Sequence, residues 1–184
     1  MCTDADLIKS ICDGNETAAA RLYYRYVDRV YRITYRILLD ETLARDASQE
    51  VWIKVFQNLQ RYDPRQPLPA WLTTISARTA IDFYRKQMRQ QKMITYQEEL
   101  FTPSRDNTFK QLEQQEIQQQ IESALLGLSE MQRAAFVLRH YEGQDLQSIA
   151  DTLGCERGSV KTHLYRAVVI LRTKLASLKE NCSR

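Results

Sequence analysis

From Ala19 to Leu38 the apolar or weakly polar positions fall at Ala19, Leu22, Tyr23, Tyr26, Val27, Val30, Tyr31, Thr34, Ile37 and Leu38. Steps of three and four return to one side of a helix turning every ~3.6 residues and to no single face of a strand. The stretch is therefore one long amphipathic helix. The same spacing resumes from about Leu43 to Leu59, with Ala47, Val51, Val55 and Leu59 on one stripe. It stops at RYDPRQPLP, where Pro64, Pro67 and Pro69 cannot sit inside a helix. Pro69 suits a first helical turn, so a third helix is expected to start near it and run through AWLTTISARTAIDFYRKQMR.

These three helices make one compact domain over residues 1–90. Residues 91–112 show weak periodicity, with PSRDN and several glutamines, and read as a flexible linker, with some helical turns as the alternative. Helical spacing resumes at the linker's end with Leu112, Ile117, Ile121, Leu125 and Leu128, and a second domain covers 113–184. Glutamine-rich runs also aggregate, but the acids and the regular apolar spacing favour a helix face. Ser129 fits an N-cap and Gly143 a terminator, so a helix is expected over about 130 to 141. Beyond it, DLQSIADTLGCERGSVKTHLYRAVVILRTKL reads as a short helix, a tight turn at Gly154 and a longer helix, the helix-turn-helix pattern. Its expected core is Leu146, Ile149, Ala150, Leu153, Cys155 and Val160. The fold class is all-α: two small helical domains joined by a flexible linker, the C-terminal one containing the helix-turn-helix.

Composition narrows the function classes. Five glycines and four prolines in 184 residues suit helices, and 43% apolar residues suffice for packed cores. No run approaches the ~20 apolar residues of a membrane span, so no membrane insertion is expected. The start MCTDADLIKS lacks a signal peptide's layout, and a cytoplasmic location is expected. Cys2, Cys12, Cys155 and Cys182 have no zinc-site spacing and read as plain thiols, Cys155 in a core, with a redox-sensing thiol as the alternative. No cofactor or metal is expected. His140 and His163 are the sole histidines, and no phosphate-cradling glycine loop or nucleophile constellation accompanies them, so catalysis is not expected.

The net charge of +3 is mild, but its distribution is not. Arg85 to Lys92 and Glu156 to Lys179 are basic, and Gln97 to Glu122 between them leans acidic. Two basic patches suggest a polyanion gripped at two places. Advancing ~100° per residue from Val160 gathers Val160, Leu164, Ala167, Val168, Leu171, Leu175 and Leu178 into one core-facing sector. Thr162, Tyr165, Arg166 and Val169 then point outward, flanked by Lys161 and Arg172, with His163 peripheral. Such groups grip phosphates and reach base edges in a major groove. Gly158 and Ser159 leave the helix start slim enough for close backbone approach to a phosphate. A merely solvated face is the alternative; the preceding short helix and glycine turn favour DNA.

Three blocks carry a family resemblance. DASQEVWIKVFQNLQRYDP, WLTTISARTAIDFYRK and the long block from Leu128 to Arg172 resemble, in that order, segments of the extracytoplasmic-function (group IV) sigma factors of bacterial RNA polymerase, in the sigma-70 family. The sequence departs from the family's pattern at Arg78, where asparagine is common, at Ser76, where alanine is, and at Trp52, where phenylalanine is.

The resemblance implies two helical domains that bind core RNA polymerase and promoter DNA, the first opening the −10 element and the second reading the −35 element. It makes Arg157, Ser159, Lys161, Thr162, Tyr165 and Arg166 the −35 contacts. Asp46, Gln49 and Glu50, one turn apart, would face a basic polymerase surface, the clamp coiled coil of its largest subunit; an ordinary acidic helix start is the alternative. In the proline-stiffened loop, Tyr62 and Arg65 would hold an unstacked base, a step that costs a few kcal/mol, unless the loop is a bland connector. Arg78, Asp82, Arg85, Lys86 and Arg89 would meet the −10 region, while Trp71 reads as core. The family also implies an anti-sigma factor as a partner. The linker of roughly 23 residues spans at most ~80 Å, enough for two elements two helical turns, ~70 Å, apart.

Two rivals account for less. A homodimeric helix-turn-helix regulator acting at an operator uses the C-terminal block but gives the acceptor-rich second helix and the rigid loop no task. An interaction protein with incidental basic residues predicts little salt-dependent DNA affinity.

Overall fold

The structure, a computed structural model, describes residues 3–94 and 121–181. The described residues form helices and no strand. Those helices are α1 (Asp4–Cys12), α2 (Glu16–Leu38), α3 (Glu41–Asn58) with a 3-10 turn at Leu59–Arg61, α4 (Leu68–Ile94), a helical stretch at 121–126, α5 (Glu130–His140), α6 (Leu146–Leu153) and α7 (Arg157–Asn181). The linker beyond Ile94, the apolar positions Leu112 and Ile117, and the terminal Cys2 and Cys182 lie outside the described residues.

Local chemistry sets the boundaries. Asn15, Asp40, Ser129 and Asp145 each accept a backbone N–H in the first turn of the helix they open, satisfying donors that have no partner within the helix. Ser129 and Gln132 complete a reciprocal capping box. Gly154 ends α6 with φ +63°, in the left-handed region where a Cβ is unwelcome. Leu39 takes a similar conformation, φ 56°, at the end of α2 without being a glycine. The prolines stop α3 as expected, and α4 begins one residue earlier than Pro69 and runs on to Ile94. Helix α1 has no counterpart in the sequence reading.

The N-terminal core packs Leu7, Leu22, Val30, Val51, Val55, Leu59, Leu68 and Leu72 between α1, α2, α3 and α4. Thr34 and Ser48 cross from α2 to α3 through a 2.9 Å hydroxyl contact, and both also reach the Ala44 carbonyl, so these buried hydroxyls are satisfied.

A second core belongs to neither half alone. Ile33 and Ile37 of α2, Ala77, Ala80 and Ile81 of α4, and Ala134, Ala135, Val137 and Leu138 of α5 share it with Ile149 and Val160 of the helix-turn-helix. The two halves are thus packed against each other. Small alanines on α4 and α5 allow that approach, because side-chain bulk sets the distance between packed helices.

Candidate nucleic-acid and partner interfaces

Helix α7 presents the face expected of it. Val160, Ala167 and Leu171 are buried, whereas Lys161, Thr162, Tyr165, Arg166 and Arg172 are exposed, Tyr165 at 72%. Arg157 is exposed and Ser159 half-buried at the helix start. Thr162 returns its hydroxyl to the Gly158 carbonyl at 3.2 Å, which fixes the rotamer and leaves its methyl for outside contact. Leu175, placed in the core sector by the wheel, is 39% exposed; the packed partner, helical stretch 121–126 with Leu128, covers Ala167 and Leu171 instead. Leu178 has no described side chain. His163 is half-buried, and its Nδ1 is buried without a described partner.

The turn is built rigidly. Asp145 accepts from the backbone of Gln147 and Ser148 and from the Ser148 hydroxyl, and these bonds hold its carboxyl below the usual carboxylate range. Leu146, Leu153 and Cys155 are partly buried against the shared core, as the sequence pattern required. Burial pushes the Cys155 thiol up, which keeps it protonated and unreactive. Cys12 is an exposed free thiol.

On α3, Asp46 and Gln49 are exposed and Glu50 half-buried, in a 3.8 Å contact with Lys54. The same outward face carries Ile53 at 51% and Phe56 at 38% exposure. Sequence reading did not single these out, although their i+4 and i+7 spacing from Gln49 places them there. Next to them a chain of rings runs from Tyr24 to Tyr23, Trp52 and Phe56, with centroids 5.4, 5.0 and 5.8 Å apart. Trp52 is 6% exposed, so it replaces phenylalanine as a core anchor. Exposed apolar rings beside acceptors make an outline suited to a protein partner.

The loop after α3 is held by its own residues. The Tyr62 hydroxyl donates to the Gln66 carbonyl and its ring lies 5.2 Å from that of Trp71. Arg65 forks onto Asp63 through Nε and Nη2 at 3.0 and 2.8 Å, which holds the Asp63 carboxyl low. Trp71, expected in the core, is half-buried and packs against the edge of the N-terminal core. It lines a concavity of about 400 Å³ with Lys54, Asn58, Arg61, Ile75, Arg78, Thr79 and Asp82. Three cations and an indole face make this a fit for a base with its phosphate. Of the −10 candidates it unites Arg78 and Asp82; Tyr62 stands behind Trp71 and Arg65 lies outside the lining.

The remaining candidates run along α4. Lys86 and Arg89 are exposed, and Arg89 donates to the Arg85 carbonyl at 3.2 Å. Arg85 lies 3.5 Å from Glu130 on α5. Arg78 reaches across to α6, where Nε donates to the Thr152 carbonyl at 3.0 Å and Nη2 to that of Asp151 at 2.6 Å. Nothing in its sequence position foretells that bridge.

Comparison with known proteins bears on both halves. The sigma-70 region 2 family model matches residues 22–90, and the sigma-70 region 4 model matches residues 118–171. The chain is 30% identical over 164 residues to the ECF RNA polymerase sigma factor SigX of Bacillus subtilis (strain 168), covering 86% of this chain and 84% of that one. It is 27% identical over 165 residues to the ECF sigma factor SigK of Mycobacterium sp. (strain KMS), covering 88% and 86% of the two. Among solved structures its fold resembles sigma factor RpoE from Bartonella quintana, crystallised with the anti-sigma factor NepR. That match has a TM-score of 0.67 at 21% identity and covers 85% of this chain and 96% of that one. CnrH, in complex with the cytosolic domain of CnrY, gives a TM-score of 0.62 at 21% identity, with 93% and 96% covered.

Proposed function

The chain belongs to the extracytoplasmic-function sigma factors of the sigma-70 family, and on that premise we propose how its residues divide the work of promoter recognition. A sigma factor binds core RNA polymerase and promoter DNA and directs transcription initiation, here with a region 2 and a region 4 domain. The observation that carries the division is the outward face of α7: a hydroxyl, a phenol and two cations, all exposed, over a helix whose opposite side is buried.

In this reading α7 enters the major groove of the −35 element. Arg166 pairs with a base edge, Thr162 offers its methyl to a thymine, and Arg157, Ser159, Lys161 and Tyr165 hold phosphates or flanking bases. The N-terminal domain opens the −10 element. The concavity walled by Trp71, Arg78 and Asp82 receives single-stranded DNA, with Tyr62 and Arg65 on the adjoining loop. Arg85, Lys86 and Arg89 follow the backbone upstream. Asp46, Gln49 and Glu50 dock on core polymerase, and the exposed Ile53 and Phe56 extend that contact. Domain limits of 1–90 and 113–184, with 91–112 as the connection, fit this division.

Recognition, not catalysis, is the task, and polymerisation belongs to the enzyme it joins. The cytoplasm is its place of work, and among the described residues no helix is long and apolar enough to cross a membrane. The sigma factor RpoE was solved with the anti-sigma factor NepR, and an anti-sigma protein is proposed as a partner here too. A homodimeric operator-binding regulator would account for α6 and α7 alone. Run-off transcription with core polymerase over a promoter library tests the reading: start-site-specific transcripts that require this chain are expected, and none on any template would overturn it.

A further inference from the structure

Helix α1 lies ahead of residue 22, where the match to the region 2 family model begins. A helix this short does not hold together by itself in water, so α1 persists through what it docks against. The Thr3–Asp6 capping box closes its first turn. Leu7, 1% exposed, enters the N-terminal core alongside Leu59, Leu68 and Leu72. Asp4 clamps α1 to α2: one carboxylate oxygen accepts from Arg25 Nη1 and the other from the Tyr26 hydroxyl, both at 2.6 Å. Burial first, then the bond to Asp4, push the Tyr26 phenol up to about 12, so it stays protonated and donates at neutral pH.

What α1 leans on is the back of the concavity assigned above to the −10 element. Besides α2, it packs against the 3-10 turn at Leu59–Arg61. Leu59 is buried, and its carbonyl accepts the Tyr62 N–H at 3.1 Å. Arg61, at the end of the turn, lines the concavity. The Tyr62 ring lies 5.2 Å from that of Trp71, which lines it too. Ile8, Ile11, Tyr62 and Trp71 all pack on the edge of the core that Leu7 enters. The charge of Asp4 is close enough to Tyr62 to add to the burial that pushes this phenol up. Asp4 itself does not line the concavity, so its influence there passes through packing and one short turn.

We propose that α1 is a brace for the −10 site and that Asp4 is its positioning residue, holding Arg61, Tyr62 and Trp71 in the geometry that captures an unpaired base. The inference rests on the −10 assignment of the concavity. A stacking surface held in place beforehand binds better than one that must be ordered as the base arrives. The side chains of Arg25 and Asp4 are 40% and 30% exposed, and ion pairs open to water contribute little to overall stability. The clamp therefore governs where α1 sits rather than whether the domain folds.

The test uses the full chain assembled with core polymerase. Asp4→Ala should slow permanganate-detected opening of the −10 element about threefold or more, because fewer molecules then hold the competent site. Core binding and −35 duplex binding should stay unchanged. Tyr26→Phe removes one clamp bond and leaves the start of α1 intact; it should give a smaller loss in the same direction, and it carries the test if Asp4→Ala fails to fold. Asp4→Glu, which keeps the carboxylate, should restore most of the rate. In the free chain, Trp52→Phe leaves Trp71 as the sole indole. Adding Asp4→Ala should raise acrylamide quenching of Trp71 at unchanged helix content, a readout that a merely stabilising contact would not move. Opening at the wild-type rate, an equal loss of core binding, or unchanged Trp71 quenching would overturn the proposal. Trp71→Ala separates the two claims. If it leaves opening intact, the −10 assignment fails; if it abolishes opening while Asp4→Ala does not slow it, only the brace fails.

Discussion

Arg166 carries the sharpest expectation for a single residue. It is exposed on the α7 face and meets no described partner contact that would hold it back. Arg166→Ala should cost about 1–3 kcal/mol in −35 recognition and relax selectivity at one base position; competition binding against single-base promoter variants measures this, and uniform weakening would make it a phosphate contact. Asp145 gives a pH dependence. Its carboxyl is held low by the Ser148 and Gln147 bonds, so ionised Asp145 stabilises the folded state at neutral pH. That contribution is full above the ordinary carboxylate value and is lost as pH falls through the depressed one. Asp145→Asn should flatten the acid limb of a melting-temperature profile, and an unaltered limb would contradict the cap's role. Ser129→Ala removes a neutral cap at the start of α5 and should lower stability by ~1 kcal/mol in denaturant titration.

Among the elements, α3 separates the two activities. Charge reversal at Asp46 and Glu50 should weaken core-polymerase binding while leaving DNA binding through α7 intact, as read by polymerase pull-down beside a mobility shift. Loss of both would indicate misfolding rather than a lost surface, and survival of core binding would clear α3 of the role. Most helices were legible because their apolar residues repeat at helical steps and their ends carry caps: Ser129 and Gly154 marked α5 and α6 in advance. Helix α1 was not, because its signal is a Thr3–Asp6 capping box and nine residues are too short a run to establish a helical period. Trp71 read as core because an indole is mostly apolar, yet it lines a concavity with cations. Leu175 fell on the buried stripe of the wheel but lies past the point where a neighbouring element covers α7. Periodicity says which face is apolar, not how far along the helix the cover extends.

The same limit explains what was missed in the molecule as a whole. Ile33, Ile37, Ala77 and Ala80 have the spacing of an ordinary helix interior, and nothing in that spacing tells that α5 completes it. Arg78 and Glu142 are polar and distant in sequence, so their roles across the boundary emerge only in three dimensions. Two domains, one enzyme and one stretch of DNA must nonetheless come together for the chain to act as a sigma factor. Photo-crosslinking from Tyr62 and from Tyr165, within holoenzyme on a promoter of mapped start site, tests that most directly. The account predicts two sets of DNA crosslinks about 20 base pairs apart, Tyr165 on the upstream duplex and Tyr62 on an unpaired strand near the start; crosslinks at one common place, or none that depend on core polymerase, would contradict it.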